Sequence, residues 1–551
     1  MTGRASEEKP LILAVDDDAA ARERITAELQ RYTRDYRVVC GGSGDSALVQ
    51  LEAMRDAGER VAIVLAAKSP DLRGEELLAR VHDIHPHAKR ALLIPWGGWA
   101  DEQTADAIRN AMSVGHIDYY VLKPWSAPDE LFHRIVSEFL QEWRRANAPG
   151  RREITVIADP WSPRGYELRN LLARNGVPHA FHSCDSEEGV ELLRECGRAG
   201  STEPVVLLPE GDPLVNPSNQ ELARGYGVTT ELQDAGPFDV VVVGAGPAGL
   251  AAAVYASSEG LRALVVEGES IGGQAGASAR IRNYLGFSRG VTGAELAQRA
   301  YQQAWVFGTT FLLMREVNDL RAVDGEHLVT ISDGTEIETG SVVLAMGVSY
   351  RRLGIPALEE LTGTGVFYGP PSLSDAQQFT GGDVFIVGGG NSAGQAAAHL
   401  SRYAASVTLL VRGSSLASSM SQYLVDEISS KRNIEVRCST EVVGGAGEGQ
   451  LERLTLRDGT GATTTVRGDA LFVLIGAHPR TDWLPPEIER DSHGFVVTGA
   501  DFETTVPGVY AIGDVRSQSV KRVASAVGEG SVVIQQVHRY LESAQAPTVR
   551  P

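Results

Sequence analysis

The sequence predicts a multidomain α/β protein. Its 551 residues are 43% hydrophobic and 22% charged, an ordinary composition for globular domains, and at roughly 100 to 200 residues per domain this length predicts about three to five domains. Apolar, strand-like segments alternate with helical segments along the N-terminal third. Two glycine-rich turns in the C-terminal half each stand between a predicted strand and a predicted helix.

Composition also excludes several classes of function. The formal net charge of -20 opposes a broad nucleic-acid footprint, and no apolar run approaches the roughly 20 residues that cross a bilayer. The opening MTGRASEEKP lacks the apolar core of a secretion signal. We therefore expect a cytoplasmic protein with no nucleic-acid or membrane partner. The four cysteines include no C-x-x-C pair, so neither a disulfide framework nor a zinc site is expected.

The first predicted domain covers residues 1–147. LILAVDDD indicates a buried strand that ends in acidic residues, and the strands VAIVLA, RALLI and DYYVL follow, each separated by a helical stretch. This alternation predicts a doubly wound, flavodoxin-like domain. Asp16 and Asp17 end the first strand, and Lys123 follows the last one.

These residues make the domain resemble a response-regulator receiver. In that family paired acids hold Mg²⁺, a third aspartate accepts phosphate and a lysine contacts the phosphoryl group. Aligned on Pro70 and Gly74, the acceptor position falls on Ala66 and the switch hydroxyl on Ile94. We predict a pseudo-receiver used for docking or dimerisation. Phosphorylation elsewhere, or residual metal binding by the two acids, is the alternative.

A polar connector, RRANAPGRRE, leads into a second predicted domain over residues 148–230. Its order of a strand, a helix and two further strands resembles a glutaredoxin or thioredoxin fold. In that family C-x-x-C opens the first helix and a cis-proline precedes a later strand. Here Ser162-Pro163-Arg164-Gly165 replaces the cysteine pair, and Pro204 matches the cis-proline. A binding or spacer role is favoured over a catalytic one.

The first glycine-rich turn follows the strand FDVVVV. Gly244, Gly246 and Gly249 have the spacing G-x-G-x-x-G, which allows a tight turn, close approach of a pyrophosphate and close packing of helix on strand. Glu267 lies 23 residues beyond Gly244 at the end of the next strand, where an acid accepts hydrogen bonds from ribose hydroxyls. These residues predict a dinucleotide site.

A second turn of this kind follows the strand DVFIV. Gly388, Gly390 and Ala393 have the spacing G-x-G-x-x-A, and Asn391 and Ser392 open the helix between them. Two dinucleotide sites in one chain predict FAD together with a nicotinamide donor.

From about residue 237 to 543 the chain resembles the low-molecular-weight thioredoxin reductase family. Further motifs match that family's flavin-contacting segments in order: Gly272-Gly273-Gln274, Asn283-Tyr284, Ala345-Met346-Gly347, Gly513-Asp514 and Lys521-Arg522-Val523-Ala524. The resemblance implies a discontinuous FAD domain at residues 237–350 and 480–543. It also implies an NAD(P) domain at residues 351–479, and a homodimer.

The chain departs from that family at its redox centre. The family places C-x-x-C just before the second Rossmann strand, where it carries electrons from the flavin. Here the matching positions read Gly369-Pro370-Pro371-Ser372, with Ser372 at the flavin-attacking cysteine. No cysteine lies between Cys196 and Cys438, so we predict no electron relay through an internal dithiol.

Arg412 bears on whether the nicotinamide donor is NADPH or NADH. It lies 24 residues after Gly388, at the position equivalent to Glu267. An arginine there pairs with the 2'-phosphate of NADPH, whereas an acid would repel it. NADPH is favoured, but NADH stays open because Ala417 replaces the family's last arginine.

The leading functional prediction is an enzyme that passes hydride from NAD(P)H to FAD and then electrons directly to an acceptor. That acceptor, a small molecule, oxygen or a docked carrier, is not identified by the residues. The alternative is a flavin-binding regulatory or scaffold protein in which all three modules have lost catalytic groups.

Overall fold

The computed structural model describes most of the chain as two compact units. One unit is Met1–Gly150 with Gln422–Ser430, and the other is Arg151–Ser421 with Lys431–Pro551. The residues that the structure describes are 9–68, 74–98, 101–113, 115–147, 154–232, 236–278, 280–323, 325–371, 376, 378–417 and 419–545.

The N-terminal part of the first unit is a parallel sheet with helices between its strands. The strand order is β2-β1-β3-β4-β5, which is the doubly wound order of flavodoxin-like folds. Its elements are β1 (Leu11–Val15), α1 (Ala19–Leu29), β2 (Arg37–Gly41), α2 (Gly44–Asp56), β3 (Val61–Ala67), α3 (Gly74–Ile84), β4 (Lys89–Ile94), α4 (Glu102–Ser113), β5 (Tyr119–Leu122) and α5 (Glu130–Asn147).

An ion pair occupies the carboxyl edge of this sheet. Asp16 is fully buried, and its Oδ2 lies 2.8 Å from Lys123 Nζ. Its Oδ1 accepts the backbone N–H of Asp18 at 3.1 Å. Ala66 and Ile94 are fully buried in the same sheet, while Pro70, used for the alignment, lies outside the described residues.

These residues do not fit a magnesium ion. Asp16 already neutralises a lysine, and alanine supplies no third oxygen ligand. No group of three or more His, Cys, Asp or Glu side chains that could hold a metal occurs among the residues described here. The receiver assignment itself remains a prediction.

The second unit begins with a small domain at residues 154–232. Its sheet order is β7-β6-β8-β9. β6 pairs parallel with β7 and antiparallel with β8, and β8 pairs antiparallel with β9. The elements are β6 (Ile154–Ala158), α6 (Pro163–Arg174), β7 (His179–Ser183), α7 (Glu187–Glu195), β8 (Val205–Leu207), β9 (Leu214–Val215) and α8 (Asn219–Gly225).

Two local features of the small domain concern the predicted redox motifs. Ser162 is the N-cap of α6, where its hydroxyl accepts the N–H of Gly165 at 3.0 Å, and Pro163 begins the helix. The expectation of a cis-proline at Pro204 is wrong. Within the described parts of the chain the cis peptide bond is Ala127–Pro128, so the Glu203–Pro204 bond is trans.

The larger domain, residues 236–350 and 480–545, contains a seven-stranded sheet. Its order is β12-β11-β10-β15-β14-β13, and β26 pairs with β15. The elements are β10 (Phe238–Val243), α9 (Pro247–Ser258), β11 (Ala263–Glu267), α10 (Gly273–Gly276), α11 (Gly293–Val306), β12 (Thr310–Leu313), β13 (Val317–Val323), β14 (Glu326–Ile331), β15 (Glu336–Leu344), β16 (Val348–Tyr350), β26 (Val509–Ala511), a 3-10 helix (Gly513–Val515) and α15 (Val523–Gln545).

The inserted domain, residues 351–479, has a second parallel sheet of order β17-β24-β18-β19-β20 and an antiparallel sheet of order β21-β22-β23. Its elements are α12 (Pro356–Glu359), β17 (Val366–Tyr368), β18 (Asp383–Val387), α13 (Asn391–Leu400), β19 (Ser406–Val411), α14 (Gln422–Ser430, grouped with the first unit), β20 (Ile434–Cys438), β21 (Glu441–Ala446), β22 (Arg453–Arg457), β23 (Thr463–Arg467), β24 (Ala470–Val473) and β25 (Ala477–Pro479).

The larger and inserted domains join where β16 and β25 pair antiparallel, with Val348 opposite Pro479. Each parallel sheet is apolar on both faces: every residue from Val240 to Val243 in β10, and from Val384 to Val387 in β18, is buried. Such continuous runs are typical of strands covered on both sides. The mixed α/β class with Rossmann-like parallel sheets is therefore confirmed. None of the described helices is long and apolar enough to cross a bilayer.

The N-terminal sheet generates a prediction about phosphorylation. Because Ala66 has no nucleophilic oxygen and Lys123 is already paired with Asp16, we expect acetyl phosphate with Mg²⁺ to leave the intact mass of the protein unchanged. An active receiver domain treated in parallel is the control. A stoichiometric, acid-labile phosphate on the first 147 residues would contradict the pseudo-receiver assignment.

Candidate functional site

The first glycine-rich turn lies against Ala345, the residue that follows strand β15. Gly244 has φ +106°, and a Cβ on it would lie 2.6 Å from the carbonyl oxygen of Ala345. A Cβ on Gly249 would lie 3.0 Å from the carbonyl carbon of Gly244. Any larger residue would push helix α9 away from the sheet. The turn therefore needs glycine at Gly244 for both packing and backbone conformation, and at Gly249 for packing alone.

Gly246 differs from these two because it faces open space. It is the N-cap of α9, and a Cβ built on it meets no heavy atom within 4 Å. Gly273 borders this space, because its own Cβ would lie 3.3 Å from the Cα of Gly246. The N–H of Gly272 donates to the carbonyl of Ala245 at 2.7 Å. We call the open space at this helix N-terminus the first cradle. The free backbone N–H groups of a helix N-terminus are suited to a pyrophosphate.

Glu267 holds the loops around that cradle together. Its Oε2 accepts the N–H of Ala245 at 2.7 Å, and its Oε1 accepts the N–H groups of Glu269 and Ser270 at 2.8 and 3.1 Å. Oε1 therefore already accepts two hydrogen bonds, whereas Oε2 has a lone pair left for a hydroxyl ligand. Glu267 thus stands where the ribose contact was predicted, and it also fixes the backbone there.

The other predicted flavin contacts in this part of the chain lie in three separate segments. The side chain of Gln274 donates from Nε2 to the carbonyl of Val348 at 2.7 Å, which ties the 272–276 segment to β16. Gly347, just before β16, has φ +64°. Asn283 is exposed. The structure brings Gln274 close to the segment around Gly347 but gives no contact that joins Asn283 to them.

A partly exposed network of charged groups surrounds Asp514. Glu529 of α15 accepts the N–H of Gly513 at 2.6 Å and pairs with Arg516 at 2.6 Å. Lys521 donates from Nζ to the carbonyl of Asp514 at 2.9 Å and lies 4.2 Å from the ring centre of Phe495. The network fixes the backbone of the Gly513–Val515 turn through groups other than the Asp514 carboxylate.

The carboxylate of Asp514 is left available. Burial raises its pKa; Lys521 opposes this rise and Glu529 adds to it. Among the described residues it makes no hydrogen bond or ion pair with a side chain, so its oxygens can accept hydroxyl groups. Arg522, just before α15, is exposed without an ion pair in the described part of the chain, and Val523 begins the helix.

The second glycine-rich turn repeats the first. Gly388 has φ +147°, and a Cβ on it would lie 3.0 Å from the carbonyl carbon of Leu474. Gly390 is the N-cap of α13, and a Cβ there meets no heavy atom within 4 Å. Asn391 accepts the N–H of Ser421 at 2.8 Å through its side chain. Ser392, the next residue in the helix, is exposed.

Arg412 follows β19 directly and is exposed. Within the described residues its guanidinium makes no hydrogen bond or ion pair, so it is available for a phosphate. It therefore has the position and the free donors that the sequence-based prediction required.

Gly369 is the residue that the sequence analysis placed at the first position of the family's dithiol. It has φ +110°, and a Cβ on it would lie 2.6 Å from Cε2 of Tyr350. Burial raises the pKa of Tyr350 to about 12; Arg174 opposes this rise and Glu269 adds to it. The ring is therefore a neutral wall at physiological pH. Ser372, the other predicted position, lies outside the described residues.

Glu269 is a residue that the sequence analysis missed. Its Oε2 lies 2.8 Å from Arg174 Nη1 in the small domain, and its Oε1 lies 2.6 Å from Arg480 Nη2, just after β25. These partners are 95 and 211 residues away, so no local motif could have identified the contact. Tyr350 was missed for the same reason.

Residues 238–530 match the protein family described as pyridine nucleotide-disulphide oxidoreductase. The thioredoxin reductase of Treponema pallidum is 34% identical over 309 residues, which is 56% of this chain and 98% of that protein. A 34.2 kDa protein in the rubredoxin operon of Clostridium pasteurianum is 32% identical over 305 residues, 55% of this chain and 97% of the relative. The family match leaves the first 237 residues outside it.

Solved structures give the same result. The thioredoxin reductase of T. acidophilum is 31% identical with a TM-score of 0.52, over 56% of this chain and 99% of that one. The thioredoxin reductase of Lactococcus lactis, in its FR conformation, is 26% identical with a TM-score of 0.53 over the same shares.

This family uses FAD and NAD(P)H. Both groups fit the residues described above. FAD fits the open cradle at Gly246 and the available carboxylate of Asp514, and a nicotinamide dinucleotide fits the open cradle at Gly390 and the free guanidinium of Arg412.

Two matched substitutions test which turn holds which cofactor. A Cβ at Gly246 or Gly390 meets only open space, so both variants should fold and interfere only with the bound ligand. We expect Gly246→Val to purify colourless. Gly390→Val should stay yellow but show slower flavin reduction by NAD(P)H, measured by anaerobic stopped-flow absorbance. The assignment is wrong if the two phenotypes are exchanged; circular dichroism of each variant controls for folding.

Proposed function

Because the chain belongs to the pyridine nucleotide-disulphide oxidoreductase family, as a thioredoxin reductase-like flavin oxidoreductase, we propose that it takes hydride from NAD(P)H and passes electrons from FAD directly to an external acceptor. The acceptor is a small molecule, oxygen or a protein carrier. Electrons do not pass through a dithiol of the protein itself.

The observation that carries this proposal is the conformation of Gly369. The Tyr350 ring occupies the space that a side chain at this position would need, and φ +110° disfavours every residue with a Cβ. A cysteine here would need both a different backbone and a displaced tyrosine. The local packing therefore favours glycine at position 369 and disfavours a cysteine.

The four cysteines give independent support. All are free thiols: Cys40, Cys184, Cys196 and Cys438. Burial raises the pKa of Cys40 and, reinforced by Asp159 and Asp185, that of Cys184. A raised pKa lowers the thiolate fraction, and the thiolate is the form that reacts. Cys40 and Cys184 are thus poorly suited to replace a redox-active pair.

Bound FAD would supply the two-electron chemistry, and the chain's own residues would bind and orient it. The N-terminus of α9 would hold the pyrophosphate and Glu267 the ribose. Asp514 would accept hydroxyls further along the cofactor. The hydrogen bond from Gln274 to Val348 links this cradle to the β16–β25 junction, so the predicted flavin segments and the start of the inserted domain are held together.

We further propose NADPH as the preferred donor. Arg412 is the cation next to the second turn, and it projects into solvent at the end of β19. One arginine provides several donors to a 2'-phosphate, which NADH lacks.

Arg412→Gln tests this preference. Losing a charge-assisted hydrogen bond should lower kcat/KM for NADPH by about 10-fold or more, with little change for NADH, in steady-state assays with each nucleotide. Arg402→Gln is the matched control, because Arg402 is an exposed arginine beyond the opposite end of α13. Equal losses for both nucleotides, or a wild-type preference for NADH, would contradict the assignment.

A cysteine-free protein tests the whole proposal. With all four cysteines changed to serine, anaerobic dithionite titration should still consume about one two-electron equivalent per FAD. NAD(P)H oxidation with an acceptor panel of ferricyanide, quinones and oxygen should be nearly unchanged. The single variant Cys438→Ser is the informative comparison. A second two-electron equivalent in the wild type that disappears in Cys438→Ser would overturn the proposal, and no turnover with any acceptor would favour a flavin-binding scaffold.

A further inference from the structure

Helix α6 of the small domain contacts both of the other domains of the second unit. At its C-terminal end, Arg174 pairs with Glu269 at 2.8 Å. The next residue, Asn175, donates from Nδ2 to the carbonyl of Glu269 at 3.4 Å and accepts the N–H of Ile271 at 3.3 Å. This end of the helix is therefore bonded to the loop that follows β11 in the larger domain.

Aromatic rings form the contact at the other end of α6. The rings of Tyr166 and Phe367 are 4.9 Å apart, and those of Trp161 and Phe379 are 6.2 Å apart. Phe367 and Phe379 are 2% and 3% exposed, and the half-buried rings of Tyr166 and Trp161 pack against them. Ring pairs at these separations attract each other in addition to burying apolar area.

Hydrogen bonds run in both directions across the same contact. Arg169 donates from Nη2 to Gln378 Oε1 at 3.0 Å, and Gln378 donates from Nε2 to the carbonyl of Pro160 at 3.1 Å. Arg169 is 2% exposed and lies 4.2 Å from the ring centre of Phe181. Separating the domains would leave a buried guanidinium without its amide acceptor, which is costly.

We call the inserted-domain side of this contact the aromatic face, formed by Gly363, Phe367, Gln378 and Phe379. The small domain meets it with the start of α6. There Ser162 is the N-cap, and Pro163 Cα would lie 3.3 Å from a Cβ on Gly363. A thioredoxin-type fold would carry its dithiol at this helix start. The face is thus covered by the part of the small domain with which such a protein would approach it.

One residue of the larger domain is buried in the core of the small domain. Met314, which follows β12, is buried in the hydrophobic cluster of the small domain with Leu168 and Leu172 of α6. Its backbone has φ +59°, a left-handed conformation that is unfavourable for a residue with a Cβ. The packing of Met314 must offset this cost. The small domain is therefore fixed on the larger domain by its own core, in addition to surface contacts.

The larger and inserted domains pair with each other through the short β16–β25 ladder, three residues on each strand. α6 adds a second connection, because a helix of 12 residues spans about 18 Å and is stiff along its axis.

We propose that the small domain is a fixed internal occupant of the aromatic face. It holds the larger and inserted domains in one relative orientation throughout turnover and keeps external thioredoxin-fold proteins off that face. The inference rests on the proposed function only for the turnover measurement, since the contacts themselves do not depend on catalysis.

Two engineered disulfides test whether the small domain must leave the aromatic face during turnover. Pro163→Cys with Gly363→Cys joins the small domain to the inserted domain, and the Cβ atoms would be 3.7 Å apart. Gly176→Cys with Ala294→Cys joins it to the larger domain, with Cβ atoms 3.8 Å apart. Both distances suit a disulfide. Each pair is placed in the full-length cysteine-free chain, and bond formation is measured by peptide mass spectrometry.

We expect both bonds to form in the folded protein and turnover of NAD(P)H to differ by less than about two-fold between the oxidised and the dithiothreitol-treated forms. A loss of about ten-fold or more on oxidation, restored by dithiothreitol, would overturn the proposal, because it would mean that the small domain has to move away. Failure of both bonds to form in variants whose circular dichroism matches the wild type would overturn it as well, since the contacts would then not be populated. Because Gly363 and Gly176 have φ +83° and +66°, a variant that does not fold is replaced by the exchange measurement below.

A loosening variant provides a readout that needs neither bond formation nor activity. Tyr166→Ala with Gln378→Ala should raise hydrogen exchange of the β17 amides by about ten-fold or more. Arg164→Ala is the matched control, because Arg164 contacts Pro217 and Glu167 within the small domain. Unchanged exchange in the double variant would overturn the proposal. If wild-type protein fails to oxidise NAD(P)H, the proposed function fails, while bond formation and exchange still decide this inference.

Discussion

The carboxylate of Glu269 joins the parts of the second unit on which the site depends. Arg174 reaches it from the small domain and Arg480 from the end of the junction strand β25. Burial alone would raise the pKa of this carboxyl, but the two arginines outweigh that effect and the pKa is lowered. A lowered carboxyl pKa contributes stability above the ordinary glutamate pKa of about 4.3 and loses it as the pH falls through the folded-state pKa. The contact is therefore intact at neutral pH. It also aligns the loop that Glu267 holds over the first cradle.

Three positions at which the sequence predicts a missing reactive group hold a residue with a structural role. Ala66 is fully buried, and Lys123 is paired with Asp16 instead of a phosphoryl group. Ser162 caps helix α6, a role for which serine is among the preferred residues and cysteine is not. Gly369 has a backbone conformation that leaves its space to Tyr350. Restoring the chemistry at any of these positions would therefore disturb local packing.

Local patterns were enough to predict the two cradles. Gly244 and Gly388 are recognisable because their turns need positive φ and pass close to the carbonyls of Ala345 and Leu474, and such needs restrict a position to glycine. The parallel sheets were equally predictable from the sequence, because strands covered on both faces are continuous apolar runs.

The contacts between domains could not be predicted in this way. Glu269 and Tyr166 carry no spacing signal, because their partners Arg480 and Phe367 lie about 200 residues away in the chain. Position in a motif also did not fix conformation at Pro204: its preceding bond is trans although the motif had suggested cis.

The fixed small domain that we propose is physically compatible with the proposed transfer of electrons directly from the flavin. A protein dithiol that relays electrons must react first with the flavin and then with a partner, so it needs two different contacts in each cycle. Hydride transfer from a nicotinamide requires the opposite, since the reacting atoms must be held about 3–3.5 Å apart in one geometry. Once Gly369 and Tyr350 exclude a thiol from the first position, a second orientation has no chemical use. Under this proposal, the aromatic and ionic contacts of α6 would hold the orientation seen in the structure without slowing turnover.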